Sequence, residues 1–253
     1  MRTGLGLGVT YDVGAEFLSF YSLSFDGNND YVDCGELSDV VKNVADMSIS
    51  AWIYPTHSAS GGDSYHTIAS QWDGSGSDFC WGLWLLAADS ATDAKIHFDD
   101  SGGGITNGTA TVSINEWSHI AVSKDAAEVK LYHNGVEVHS VADGNATTGN
   151  KTEELLIGAQ NKSSAAVLFK GRIDEVALWN AALSEKDIKG IYNNGMPNNL
   201  LLPGVYATDR TSNLKGWWRF EEGSGTSVAD SSGNGNTGTI SGASSGGGKQ
   251  LPI

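Results

Sequence analysis

Gly171-Arg172-Ile173-Asp174-Glu175-Val176-Ala177-Leu178-Trp179-Asn180-Ala181-Ala182-Leu183-Ser184 is the stretch on which the fold turns. Its first half reads as a strand, because successive side chains of an extended backbone point to opposite faces. At a strict period of two, Asp174, Val176 and Leu178 share one face, and Ile173, Glu175, Ala177 and Trp179 share the other. A carboxylate in line with apolar side chains is costly to bury unless a cation or several hydrogen-bond donors satisfy it. Asp174 is therefore where this strand departs from a generic one. Beyond it, Ser184-Glu185-Lys186-Asp187 is a helix start, with Ser184 as N-cap and acids in the first turn. The helix is short, running to about Tyr192, and Asn193-Asn194-Gly195 stops it.

Outward from this stretch the chain is a series of short alternating runs. Met47–Tyr54 places Ile49, Ala51 and Ile53 on one face. Thr67–Trp72, Phe79–Leu86, Lys95–Phe98, Glu116–Lys124, Glu128–Val138 and Leu155–Ile157 continue the pattern, and Asn134-Gly135 predicts a type I′ hairpin. Short strands joined by Gly, Asn and Ser turns, with one helix near 184–192, make the chain all-β, a two-sheet sandwich or a barrel. The 253 residues divide into an N-terminal arm, 1–22, a sandwich, 23–196, a linker-like segment, 197–214, and a C-terminal segment, 215–253. The last contains strand-like Lys215–Phe220 and Thr237–Ile240, and its tail, Ser241–Lys249, is flexible by composition.

Charge excludes some functions. A net charge of −15 argues against a phosphate-binding surface and hence against nucleic acid. No run approaches the roughly 20 apolar residues that span a bilayer, and Met1–Gly8 lacks the apolar core of a signal peptide. Cys34 and Cys80 are expected to be buried free thiols, with a single disulfide as the alternative. The six histidines show no zinc spacing.

Four pieces carry a family resemblance: Ser24-Phe25-Asp26-Gly27-Asn28-Asn29-Asp30-Tyr31-Val32; Ser48-Ile49-Ser50-Ala51-Trp52-Ile53; Trp117–Val122 with Tyr132-His133-Asn134-Gly135; and Gly171–Val176. In this order they resemble the laminin-G-like jelly rolls of the concanavalin A-like lectin/glucanase superfamily, which implies a two-sheet antiparallel jelly-roll sandwich. Trp217–Gly223 with Val228–Gly235 looks like the segment that usually opens such a domain, but here it follows the domain. It either completes its own sandwich, inserts into a neighbouring subunit, or is the stub of a second repeat. The permuted order is similar to that of structural proteins of marine tailed phages. That resemblance implies a non-enzymatic virion structural or adhesion module, a capsid decoration or tail-associated protein that is homo-oligomeric and contacts other virion proteins. The alternative is a lectin-like, carbohydrate-binding domain of a bacterial protein, extracellular or at the cell surface, with a surface glycan as partner.

Three kinds of site follow. Asp26, Asn28 and Asp30 offer hard oxygens at i, i+2 and i+4 in a turn, and Asp174 stands on a strand that could lie beside them. Calcium takes six to eight such oxygens, and the resemblance implies that such folds often carry it. The competing reading has Asp26 and Asn28 capping their own turn and Asp174 accepting backbone hydrogen bonds. For a glycan, Trp72 and Trp84 are candidate platforms with Asp73 and Asp78 as polar partners; Tyr54, Tyr65 and Trp81 are further candidates, although Trp81 shares a face with Leu83 and Leu85 and reads as core. Catalysis is not expected. Family glucanases place Glu-x-Asp-x-Glu on one strand face, whereas Arg172 and Val176 stand where the outer acids would be.

Overall fold

Apolar residues that recur at every second position give each strand one face to bury, and two such sheets bury those faces against each other. The structure, a computed structural model, describes residues 17–37, 40, 42–57, 65–72, 80–87, 93–100, 106–142, 147–149, 152–162 and 167–247. The first sheet runs β10 (Val136–Ala142), β9 (Glu128–His133), β8 (Ser118–Lys124), β3 (Met47–Pro55), β12 (Lys170–Trp179), β1 (Tyr21–Asp26) and β16 (Ser244–Gly247). Strand β13 (Leu214–Trp218) lies beside the second half of β12, where β1 has ended. The second sheet runs β14 (Ser227–Val228), β15 (Gly238–Ser241), β2 (Tyr31–Glu36), β11 (Glu154–Ile157), β4 (Tyr65–Gln71), β5 (Trp81–Ala87), β6 (Asp93–Asp100) and β7 (Thr106–Ser113). Between them lies the core, with Phe25, Ile49, Ile53, Trp81, Leu83, Ile96, Phe98, Val122, Ile173, Val176 and Trp218 all buried. This is the two-sheet jelly-roll sandwich the resemblance implied. Cys34 and Cys80 are buried free thiols. Among the described residues no helix is long and apolar enough to cross a membrane.

Strand β12 corrects the strict period of two. Against β3, Asp174 pairs with Trp52 and Ala177 with Ser50, so three steps on one strand meet two on the other. The extra residue is a β-bulge with Glu175 in the left-handed region at φ 50. The bulge shifts the parity. Ile173, Val176 and Leu178 face the inter-sheet core, and Asp174 does not share their side. Asp174 and Glu175 both turn to the outer face of the first sheet, where their hydrogen-bond partners lie.

That outer face carries a second apolar cluster of Ala121, Tyr132, Ala177, Trp179, Leu183, Ile188, Ile191, Leu200, Val205, Tyr206, Leu214 and Trp217. Helix α1 (Glu185–Tyr192) packs here as the sequence predicts: Ser184 and Asp187 form a reciprocal capping box, and Asn193 ends the helix at φ 47. The linker-like segment is strapped to it, with Leu200, Val205 and Tyr206 buried and the Ala207 N–H donating to Asp187 Oδ1 at 2.6 Å. Gly190 makes the strap possible, because a Cβ there would sit 1.8 Å from the Val205 carbonyl oxygen. Gly190→Ala is expected to destabilise the domain by about 1–3 kcal/mol through overpacking, read as a lower midpoint in urea unfolding.

The C-terminal segment contributes to both sheets. Strand β13 joins β12, β15 joins β2, and β16 joins β1. The tail differs from its composition-based reading: Ser244–Gly247 are ordered because backbone pairing to β1, which needs no large side chains, holds them.

Candidate functional site

The outward face of the second sheet holds a cavity of about 370 Å³ lined by Tyr65, Trp72, Trp84, His97, Asp99, Gln160 and Val167. Its floor follows from strand register. Trp84 on β5 faces His97 on β6, and Gly82 faces Asp99 one pleat further on. A Cβ on Gly82 would lie 1.9 Å from Trp84 Cη2. The glycine thus leaves room for the indole to fold back along the strand, which carries it toward Asp99. Trp72 stands edge-on to Trp84 with ring centroids 6.4 Å apart. Tyr65 is edge-on to both Trp84, at 6.4 Å, and His97, at 5.8 Å. Trp84 is only 4% exposed, while Tyr65 at the rim is 42% exposed.

The walls are tied to the sheet by hydrogen bonds. Thr67 Oγ1 donates to the Val167 carbonyl at 2.5 Å, and Ser70 Oγ donates to the Gln160 carbonyl at 2.9 Å. Pre-set walls and a rigid aromatic floor with a few polar groups are what a small-molecule site requires. Of the sequence-based candidates, Trp72 and Trp84 come together here, and Tyr65 joins them. Trp81 lies in the core, and Tyr54 lies on the first sheet beside Trp117 and Arg172. Asp73 and Asp78 fall outside the described residues. The sequence reading missed His97, Asp99 and Gln160. The first two carried a signal, since Ile96 and Phe98 are inward residues of β6 and so place His97 and Asp99 outward.

The proposed calcium donors do not converge. Asp26 Oδ1 accepts the Asn28 N–H at 2.8 Å, and its Oδ2 accepts Asn28 Nδ2 at 3.0 Å. These bonds from Asn28 hold the Asp26 carboxyl below its ordinary range. Asp30 Oδ2 accepts the Asp26 N–H at 2.6 Å, and burial pushes the Asp30 carboxyl up. The turn caps itself. Asp26 pairs with Lys170, while Asp174 lies four residues further along β12, about 13 Å away at the rise of a strand. Asp26, Asn28, Asp30 and Asp174 therefore do not fit one calcium site.

Asp174 instead joins Glu175 and Glu221, whose oxygens come within 4.8 Å of one another, close enough to hold a cation. Protein donors engage these oxygens. Ser19 Oγ donates to Asp174 Oδ2 at 2.7 Å, Trp217 Nε1 to Glu175 Oε2 at 2.7 Å, and Arg219 Nε to Glu175 Oε1 at 3.2 Å. Glu221 accepts the Phe20 N–H at 2.9 Å and the Tyr21 N–H at 3.2 Å. Arg219 also donates to the Leu18 carbonyl and lies 4.1 Å from the Phe17 ring centroid. The cluster anchors residues 17–21 to the outer face. Burial pushes the Asp174 carboxyl well up, and it pushes Glu175 to about 7 against the opposing pull of Arg219.

Comparison with known proteins places the fold. No curated protein matches the chain. A candidate carbohydrate-binding protein from Bacteroides ovatus is similar in structure at a TM-score of 0.67 and 18% identity, over 92% of this chain and 61% of that protein's length. A heptameric SAP-like pentraxin from Limulus polyphemus is similar at a TM-score of 0.56 and 12% identity, over 69% of this chain and 82% of that one. The CBM40 domain of a Ruminococcus gnavus IT-sialidase, solved with α2,3-sialyllactose, is similar at a TM-score of 0.53 and 15% identity, over 68% of this chain and 95% of that one. Residues 26–189 match a laminin-G-type family described as the concanavalin A-like lectin/glucanases superfamily, and the chain belongs to that superfamily.

Proposed function

We propose that the chain is a non-catalytic carbohydrate-binding domain, and that the cavity on the outer face of the second sheet is its glycan site. The observation that carries this reading is Trp84 folded over Gly82 beside Asp99. A sugar presents an apolar face of C–H groups and a rim of hydroxyls. The Tyr65 and Trp72 rings, standing edge-on to the buried Trp84, offer the first an apolar wall, and the carboxylate of Asp99, the amide of Gln160 and the imidazole of His97 offer the second polar partners. Glycoside hydrolysis uses two carboxylates flanking the bond, and the described lining includes one, Asp99. Of the two functions open at the level of sequence, the similarity to carbohydrate-binding domains supports this one over a virion structural role. An extracellular setting goes with it.

A glycan array tests the reading. The wild-type chain is expected to bind a defined subset of glycans, and Trp84→Ala and Trp72→Ala to weaken that binding by more than about tenfold. Trp84→Phe, which keeps an aromatic ring, controls for folding and is expected to retain part of the affinity. Binding that survives Trp84→Ala in a folded protein, or an array with no bound glycan, would overturn the assignment.

A further inference from the structure

We propose that the cavity selects uncharged glycans and discriminates against those bearing carboxylate or sulfate groups, with Asp99 as the discriminating residue. This rests on the carbohydrate-binding reading above. Asp99 is the acidic residue of the described lining, which contains no lysine or arginine. Register places it opposite Gly82, where the Trp84 indole folds back. A sugar ring that enters the cavity past the half-exposed Tyr65 ring therefore comes up against the carboxylate beside the buried Trp84 floor. An ionised carboxylate accepts hydrogen bonds and donates none, so it complements hydroxyls and opposes a second anion.

Sites that take carboxylates or sulfates supply the counter-charge, most often an arginine fork. The cations nearest in the fold do not do so here. Lys95 shares the outward face of β6 but is two residues beyond His97 on the side away from Asp99, Lys162, two residues from Gln160, is held by Asp33 at 2.8 Å and Glu154 at 2.9 Å, and Arg172 lies beside Tyr54 on the other sheet. Sequence agrees with placement, because the connections between β3 and β6 contain Asp63, Asp73, Asp78 and Asp89 and no lysine or arginine. With a net charge of −15, the long-range field acts in the same direction. Like charges brought together at a desolvated site repel, whereas a hydroxyl in the same place gains a charge-assisted hydrogen bond.

The test uses matched glycan pairs that differ by one acidic group, lactose against α2,3-sialyllactose and sulfated against unsulfated forms of each array hit. The neutral member is expected to bind at least about tenfold more tightly, and Asp99→Asn to shrink that gap by weakening the neutral member and relieving the repulsion on the acidic one. Asp99→Lys is expected to invert the preference. If acidic members bind as tightly as neutral ones, and binding still depends on Trp84, the selectivity proposal falls while the carbohydrate-binding reading stands. Absence of any bound glycan overturns both. A gap unchanged in folded Asp99→Asn removes Asp99 from the account. Should the Asp99 variants not fold, wild-type discrimination measured across ionic strength decides the matter, because an electrostatic gap must narrow with salt.

Discussion

A chain ending at Asn213 is expected to show no cooperative thermal transition. The missing segment would remove Trp218, Phe220 and Val228 from the inter-sheet core and Leu214 and Trp217 from the outer cluster, each 2% exposed or less. Truncating a single buried Trp or Phe costs about 3–5 kcal/mol, and a whole domain is stable by only about 5–15 kcal/mol. The loss reaches further than side chains. Strand β12 would lose its β13 partner from Val176 to Trp179 and keep only β3, and β1 and β2 would both become sheet edges. The Asp230–Asn236 turn would go as well, where Asp230 accepts the Trp217, Ser232 and Asn236 N–H groups and Trp218 Nε1 donates to the Asn236 carbonyl. Calorimetry of the truncated chain checks this, and a transition within a few degrees of the full-length protein would contradict it. Adding residues 214–247 as a separate peptide is expected to restore the transition.

The second large effect concerns pH. Burial raises the carboxyl groups of both Asp174 and Glu175, so the folded state holds protons that the unfolded chain releases. An acid raised on folding contributes stability that is fully present below its unfolded value and lost as pH rises through its folded value. For Glu175 that window runs from the ordinary 4.5 up to about 7. A shift of this size corresponds to about 3 kcal/mol, or about 6–12 °C in the melting temperature of a domain this large. Thermal melts from acid to mildly alkaline pH are expected to decline through that window. Glu175→Gln keeps an acceptor for Trp217 but carries no charge, so its melting temperature is expected to be flatter with pH and higher than wild type above neutrality. Identical pH slopes for the two proteins would place the titrating group elsewhere. The strain should be felt first by residues 17–21, which this cluster holds through Ser19, Leu18, Phe20 and Tyr21. Limited proteolysis near Phe20, already 62% exposed, is expected to quicken as pH rises.

Much of the fold was legible in the residues themselves, because it depends on local chemistry. Alternation identified β3, β8 and β9. Asn134 and Gly135 both take the positive φ angles, 49 and 77, that their hairpin requires. Ser184 with Asp187 marked the helix start, since a capping box is built from side chains three residues apart. Trp72 and Trp84 were legible as ligand candidates because they are aromatic residues in a region flanked by polar, glycine-rich loops. Their polar companions were less so. The alternation of β6 turns His97 and Asp99 outward, but only the pairing of β5 with β4 and β6, and of β11 with β4, brings them and Gln160 to one cavity.

Other features were decided by tertiary structure alone. Nothing local to Gly171–Trp179 announces an added residue in the ladder, and the bulge at Glu175 falls between the stretch of β12 that pairs with β1 and the stretch that pairs with β13. That single insertion turns Val176 and Leu178 to the face opposite Asp174, and the four-residue offset along β12 keeps Asp174 from the Asp26–Asp30 turn, so an apparent calcium ligand becomes an anchor for the chain's own N-terminal segment. By itself, then, the sequence determined the all-β class, the helix limits and the family. Which acids meet, which tryptophans line the outer cavity and what holds Leu18–Tyr21 in place were settled by strand register, which sums pairings between residues more than a hundred positions apart.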